Sequence, residues 1–152
     1  MLEQNLIDSL KYDHRDIEQL VFEIERVEPA QALGILSSLQ EALEIHFNSE
    51  EGTVYTPCLS KNDQELDRVV RTSEEAHKKL RQLVWSLING GNEEPTWRER
   101  VTELRSMMEN YIYMEERELF PVLRQSFDEQ ELDRINSEYG ECRANQAQGR
   151  AA

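Results

Sequence analysis

The chain has 152 residues, a length that suits one domain with a single core, and its formal net charge is -14. This charge argues against nucleic acid or an anionic membrane as the main partner, because both would repel the surface. No apolar run approaches the ~18 residues that span a bilayer, and the first residues do not resemble a signal peptide. Cys58 and Cys142 are isolated, so we expect ordinary thiols in a reducing cytoplasm.

Four long stretches repeat apolar residues at spacings of three and four, which is typical of amphipathic helices and not of strands. In chain order they cover residues 6–24, 33–54, 66–87 and 97–119. Proline and glycine lie mainly between these stretches. Pro29 is predicted to open the second helix as a first-turn residue, and Asn89-Gly90-Gly91 to end the third with a left-handed residue.

The region after Pro121 has a shorter apolar pattern that predicts a helix of two or three turns. The last nine residues, ANQAQGRAA, contain no core-forming side chains, and we expect them to be frayed or disordered. The sequence therefore predicts an all-α fold, with an up-down-up-down four-helix bundle over residues 1–125. Residues 126–152 are predicted to add a short C-terminal helix and a disordered tail.

Polar side chains interrupt the apolar stripes at similar depth in all four predicted helices. They are His14, His46, Glu50, His77, Tyr111 and Glu115. Counting from the predicted hairpin loops places them within about two turns of one another on a pitch of ~5.4 Å. The segments HFNSEE and YIYMEE, each followed by an aromatic residue and a proline, occupy matching positions in the two halves, which indicates a duplicated helical hairpin.

Burying these carboxylates requires a compensating charge, because a glutamate inside a bundle is costly unless it is neutralised or paired. No lysine or arginine interrupts the stripes near that depth, so a bound cation is the expected partner of Glu50 and Glu115. Three imidazoles, two carboxylates and a phenol exceed the four ligands of a structural zinc site. They suit two ions that share carboxylates, and the mixed nitrogen and oxygen donors favour iron or manganese.

The pattern H…HxxxE…H…HxxxE on four helices resembles the hemerythrin-like, or HHE cation-binding, family over roughly residues 5–125. The resemblance implies two non-heme iron ions, oxo- or hydroxo-bridged, for which manganese or zinc could substitute. By position, the three histidines correspond to terminal iron ligands and the two glutamates to carboxylates that bridge the irons. Tyr111 stands where the family usually has histidine, and Ser73 where oxygen carriers have another histidine.

These departures argue against reversible oxygen transport. A phenolate ligand favours ferric over ferrous iron, so with Tyr111 bound the site is expected to rest diferric and to favour peroxide or redox chemistry. If Tyr111 does not bind, one iron keeps an open position for water, peroxide or nitric oxide. Glu74, in an ExxH pair with His77, is a spare candidate ligand. Glu51 and Glu116 are expected to be solvated or capping residues, because each is rotated ~100° from the preceding glutamate.

The main hypothesis is therefore a cytoplasmic non-heme di-iron protein that interacts with dioxygen, peroxide or nitric oxide. A second hypothesis is a metal- or oxygen-responsive binding or regulatory module without turnover, and a third is a structural bundle without metal. Neither nucleic acid nor a membrane is an expected partner, and the sequence does not identify a protein partner.

Overall fold

The structure, a computed structural model, describes residues 4–91 and 93–151, and within them the chain is helical with no strand. The α-helices are α1 (Leu6–Glu25), α2 (Pro29–Glu50), α3 (Thr56–Ser60), α4 (Gln64–Asn89), α5 (Thr96–Met114), α6 (Phe120–Ser126) and α7 (Glu129–Ala151). Two π-helical segments, π1 (Glu51–Tyr55) and π2 (Glu115–Leu119), connect α2 to α3 and α5 to α6. The prediction of an all-α chain is confirmed. Among the described helices, none has the length and apolar character needed to cross a bilayer.

Side-chain caps and turn residues set the ends of several helices. The Asn5 side chain accepts a hydrogen bond from the Asp8 amide at 2.9 Å and so caps the start of α1. Pro29 is the first residue of α2, as predicted, and there its missing amide hydrogen costs nothing. Past the end of α4, Gly91 has a φ of +84°, the left-handed conformation expected of a glycine at this position.

Helices α1, α2, α4 and α5 form a group in which each packs against two others. Helix α1 contacts α2 and α5, and α4 contacts the same two helices. Their buried faces form two apolar clusters, and a layer of polar residues separates these along every helix. In α1, for example, His14 lies between Leu10 of one cluster and Ile17 of the other. The apolar stripes therefore position a polar layer in the interior, at the depth predicted from the sequence.

The C-terminal helix is longer than predicted. Helix α7 has 23 residues and reaches Ala151, whereas the sequence predicted two or three turns and a disordered tail. The prediction relied on apolar residues, but the end of α7 is rich in alanine, glutamine and arginine, which favour helix without a buried face. The helix is also anchored to the rest of the fold, because Arg143 contacts Asp13 at 2.8 Å and Tyr139 is fully buried. Residue 152 lies outside the described residues.

Candidate metal centre

All six predicted site residues lie in the polar layer, and each is at most 2% exposed. Helix α1 contributes His14, α2 His46 and Glu50, α4 His77, α5 Tyr111, and π2 Glu115. A set of four of these residues offers ligand atoms that all lie within 4.8 Å of one another: His14, His46, Glu50 and Glu115. His77 is outside that set, but its Nε2 lies 3.1 Å from Oε1 of Glu50. The structure thus brings all six side chains to one place.

Each histidine turns one ring nitrogen toward the centre and the other toward an outer carboxylate. The outer contacts join Nδ1 of His14 to Glu116 at 3.2 Å, Nδ1 of His46 to Asp13 at 3.2 Å, and Nδ1 of His77 to Glu51 at 2.8 Å. The inner contacts join Nε2 of His14 to Glu115 at 3.2 Å, Nε2 of His46 to Tyr111 at 3.1 Å, and Nε2 of His77 to Glu50 at 3.1 Å. Metal-binding histidines commonly have this arrangement, since an outer carboxylate fixes the orientation of the ring.

The expectation that Glu51 and Glu116 are solvated or capping residues is wrong. Their side chains are 31% and 32% exposed, and each carboxylate contacts a histidine from the other half of the chain. A rotation of ~100° from the preceding glutamate directs them toward the neighbouring helix and not outward. Arg81 also donates to Glu51 at 2.9 Å. Burial raises the pKa of Glu51, but the hydrogen bonds from His77 and Arg81 outweigh burial and lower it overall.

The inner and outer carboxylates together control the protonation of His14 and His77. Burial lowers the pKa of His14, but hydrogen bonds to Glu115 and Glu116 outweigh burial and raise it to about 10. The same balance raises the pKa of His77, with Glu50 and Glu51 as the partners. Protons and metal ions therefore compete for the same nitrogen atoms, because a histidine must be neutral to bind a metal.

Tyr111 lies at the middle of the cluster. Its phenol oxygen is 2.9 Å from Oε1 of Glu50 and 2.9 Å from Oε1 of Glu115. Burial, followed by the charges of Glu115 and Glu50, raises its pKa well above the usual range. The hydroxyl of Tyr111 thus donates to the carboxylates and faces the same space as the imidazole nitrogens.

Sequence reasoning missed Tyr55, a second phenol in the centre. Its oxygen lies 2.7 Å from Oε1 of Glu50, 2.6 Å from Oε2 of Glu115 and 3.2 Å from Nε2 of His77. In an α-helix, a residue five positions after Glu50 points to another face. In π1 the hydrogen bonds run from residue i to i+5, which brings Tyr55 back toward the centre. The aromatic residue that follows EE in both halves was the available signal.

The second half has a counterpart of Tyr55 without the hydroxyl. Phe120 occupies the matching position after Glu115, and its ring stacks on His14 with centroids 6.1 Å apart. Tyr55 stacks on His77 in the same way, with centroids 5.5 Å apart. Each half of the chain thus covers the lone histidine of the other half with an aromatic ring. At this pair of positions the two halves differ by one hydroxyl group, in addition to the difference between His46 and Tyr111.

Ser73 and Glu74, the two other residues considered from the sequence, are not part of the clustered set of possible ligands. Ser73 is buried, and its hydroxyl donates weakly to the sulfur of Met114 at 3.6 Å. Glu74 is half-buried and does not belong to the clustered set of possible ligands. The spare ligand suggested by the ExxH spacing is therefore absent from that set, within the described part of the chain.

The donor set fits a metal ion. Oε2 of Glu50 is buried and has no hydrogen-bond partner among the described residues. Such an atom is costly and needs a partner, and an ion is one that would satisfy it. Imidazole nitrogens together with carboxylate and phenol oxygens suit iron, manganese or zinc, whereas the set contains no thiolate.

Together these features define a helical protein with a buried cluster of histidines and carboxylates that can hold a metal ion. The chain belongs to the hemerythrin family, because the family model described as the Hemerythrin HHE cation binding domain matches residues 5–123. This region contains all six predicted site residues and Tyr55, and it ends before α7 begins. Neither a curated protein nor a solved structure matched the chain.

Proposed function

We propose that this chain is a cytoplasmic non-heme di-iron protein that interacts with dioxygen, peroxide or nitric oxide, with redox or peroxide chemistry or sensing as its role. The irons would be held by His14, His46, Glu50, His77, Tyr111 and Glu115. We infer an up-down-up-down arrangement of α1, α2, α4 and α5, which is supported by the short connections between successive packed helices. Two such ions would supply Lewis acidity and electrons.

The main support for this proposal is that an outer carboxylate orients every histidine of the cluster for metal binding. A carboxylate on each Nδ1 favours the tautomer whose Nε2 has a free lone pair toward the centre. A histidine that only fills a core can satisfy its donor and its acceptor with any nearby polar groups, and it does not require a carboxylate on Nδ1. Three histidines from three helices with the same polarity, around a glutamate oxygen that lacks a partner, support a common cation.

The chain's own residues have three tasks at this centre. Glu50 and Glu115 supply negative charge from opposite helices and would hold the ions through their carboxylates. Tyr55 holds a proton on its phenol oxygen between the two carboxylates, which fixes their orientation. The apolar clusters on either side exclude water, so that electrostatic interactions inside the layer are strong.

Tyr111 is the basis for favouring redox or peroxide chemistry over reversible oxygen transport. Its phenol contacts both carboxylates and the Nε2 atoms of His46 and His77 at 3.1 Å and 3.0 Å. A phenolate is a hard anionic donor that stabilises the ferric state. An oxygen carrier needs the diferrous state after each cycle, which a phenolate opposes.

The proposal is tested by peroxide consumption and iron content of the iron-loaded protein. We expect about two irons per chain, a near-ultraviolet band, and peroxide breakdown that is lost in Glu115→Gln. Glu118→Gln, in the same π-helical segment but with a side chain that is 43% exposed, is the matched control and should keep iron and activity. Iron binding without any dependence on Glu115 would contradict the proposed centre.

A second candidate function, a metal- or oxygen-responsive module without turnover, is favoured by the depth of the centre. No predicted site residue is more than 2% exposed, so only small molecules are expected to reach the centre. In this case the protein binds two irons but consumes no peroxide, and a change in the iron state alters the bundle surface. The peroxide measurement therefore separates the two candidates.

A further inference from the structure

One of the two hydrogen-bond partners of Nδ1 of His46 comes from outside the family-matched region. Tyr139 lies on α7, and its phenol oxygen is 2.7 Å from Nδ1 of His46. The Tyr139 side chain is fully buried, and its hydroxyl also donates to Oδ2 of Asp13. Arg143, one turn further along α7, contacts Oδ1 of Asp13 at 2.8 Å. One face of α7 thus closes a polar network around His46.

The direction of the hydrogen bonds in this network follows from the chemistry of its members. The Asp13 carboxylate, paired with Arg143, can only accept hydrogen bonds. Tyr139 must therefore donate its proton to Asp13, and its oxygen then accepts from His46. This places a proton on Nδ1 of His46 and leaves the lone pair of Nε2 directed at the centre.

His46 differs in this respect from the other two histidines. Nδ1 of His14 and Nδ1 of His77 contact glutamates that directly follow the glutamates of the centre, and both lie within residues 5–123. His46 has no such neighbour and depends on Asp13 and α7. A buried phenol hydroxyl is costly without partners, so its position against His46 and Asp13 stabilises this packing of α7.

We propose that Tyr139 is a positioning residue of the metal centre: through its hydroxyl, α7 fixes the tautomer and orientation of His46. The inference rests on the proposed function, because it concerns a histidine of the proposed metal site. It adds that the centre is completed by a helix beyond the family domain. Arg143 supports the same network by holding Asp13.

Tyr139→Phe tests the inference, because it keeps the buried ring and removes only the hydroxyl. We expect cobalt(II) to bind about 10–100-fold more weakly than to the wild-type chain and with an altered visible spectrum. Tyr113→Phe, which removes an exposed hydroxyl from α5, is the matched control and should behave as wild type. Unchanged affinity and spectrum in Tyr139→Phe would overturn the inference.

A measurement without metal separates this inference from the proposed function. In the metal-free protein with ¹⁵N-labelled histidine, NMR should show an exchange-protected proton on Nδ1 of His46, and Tyr139→Phe should remove that protection. If Tyr139→Phe does not fold, Arg143→Gln, at a partly exposed position, should weaken the same protection. A proton on Nε2 alone, or protection unaffected by these variants, would overturn the inference. Failure of the wild-type chain to bind cobalt would instead contradict the proposed function.

Discussion

The phenol oxygen of Tyr55 lies 2.6 Å from Oε2 of Glu115, so a side chain of one π-helical segment reaches the first residue of the other across the centre. Both segments occur where a glutamate of the centre, Glu50 or Glu115, is the first residue of an EE pair that a proline follows, in EEGTVYTP and EERELFP. A π turn inside a long helix often marks a functional site, because it redirects side chains at a cost in helix geometry. Here the redirected side chain is a phenol between two carboxylates.

The first prediction concerns Tyr55→Phe. The change removes a hydrogen bond to two buried carboxylates and should lower the free energy of unfolding of the metal-free protein by about 1–3 kcal/mol. Denaturant unfolding in the presence of a chelator measures this free energy for the variant and for the wild-type chain. The Tyr113 side chain is 62% exposed, so Tyr113→Phe should change the free energy of unfolding by no more than about 0.5 kcal/mol. Equal stability of the two variants would show that the Tyr55 hydroxyl contributes nothing to the fold.

The second prediction concerns Tyr111→Phe in the iron-loaded protein. If Tyr111 binds iron, the wild-type protein has a broad visible band from phenolate to ferric iron, and this band disappears in the variant. Absorption spectra of the two proteins at equal iron content measure the effect. Because Tyr55 is a second phenol at the centre, a band that survives in Tyr111→Phe and is lost in Tyr55→Phe would assign the ligand to Tyr55. Absence of the band from iron-loaded wild type would exclude phenolate ligation.

The third prediction concerns the outer carboxylates. Glu51→Gln and Glu116→Gln weaken the contacts to His77 and His14 and leave all six proposed ligands in place. Each should lower the affinity for iron or cobalt by about 10–100-fold. Competition with a chromophoric chelator gives the affinities, and Glu118→Gln again serves as the control. Wild-type affinity in both variants would mean that these carboxylates only stabilise the fold.

The fourth prediction is a pH dependence with opposite signs for the two forms of the protein. The pKa of His14 is raised from 6.5 to about 10, so its contribution to stability is complete below pH 6.5 and is lost as pH rises through 10. The metal-free protein should therefore lose stability over this range. The apparent metal affinity should rise over the same range, because bound ions displace the histidine protons. Melting curves with chelator and metal titrations at several pH values test both signs, and a metal-free protein that gains stability toward pH 10 would contradict this assignment.

Helical periodicity predicted the interior of this protein well, because the position of a side chain on a regular α-helix follows from its residue number. His14, His77 and Tyr111 were found in this way, and all three are buried where the stripes placed them. Tyr55 was missed because a π turn breaks that relation. Tyr139 was interpreted only as part of a short apolar pattern, since nothing in its local sequence indicates which helix α7 packs against.

Glu50 and Glu115 are proposed to hold two metal ions, and anomalous X-ray diffraction from crystals of the iron-loaded protein would locate those ions. We expect two iron peaks in the polar layer, each within coordination distance of a carboxylate oxygen of Glu50 or Glu115. Crystals of iron-loaded protein with no iron peak in that layer, or with Glu50 and Glu115 directed away from the metal, would contradict it.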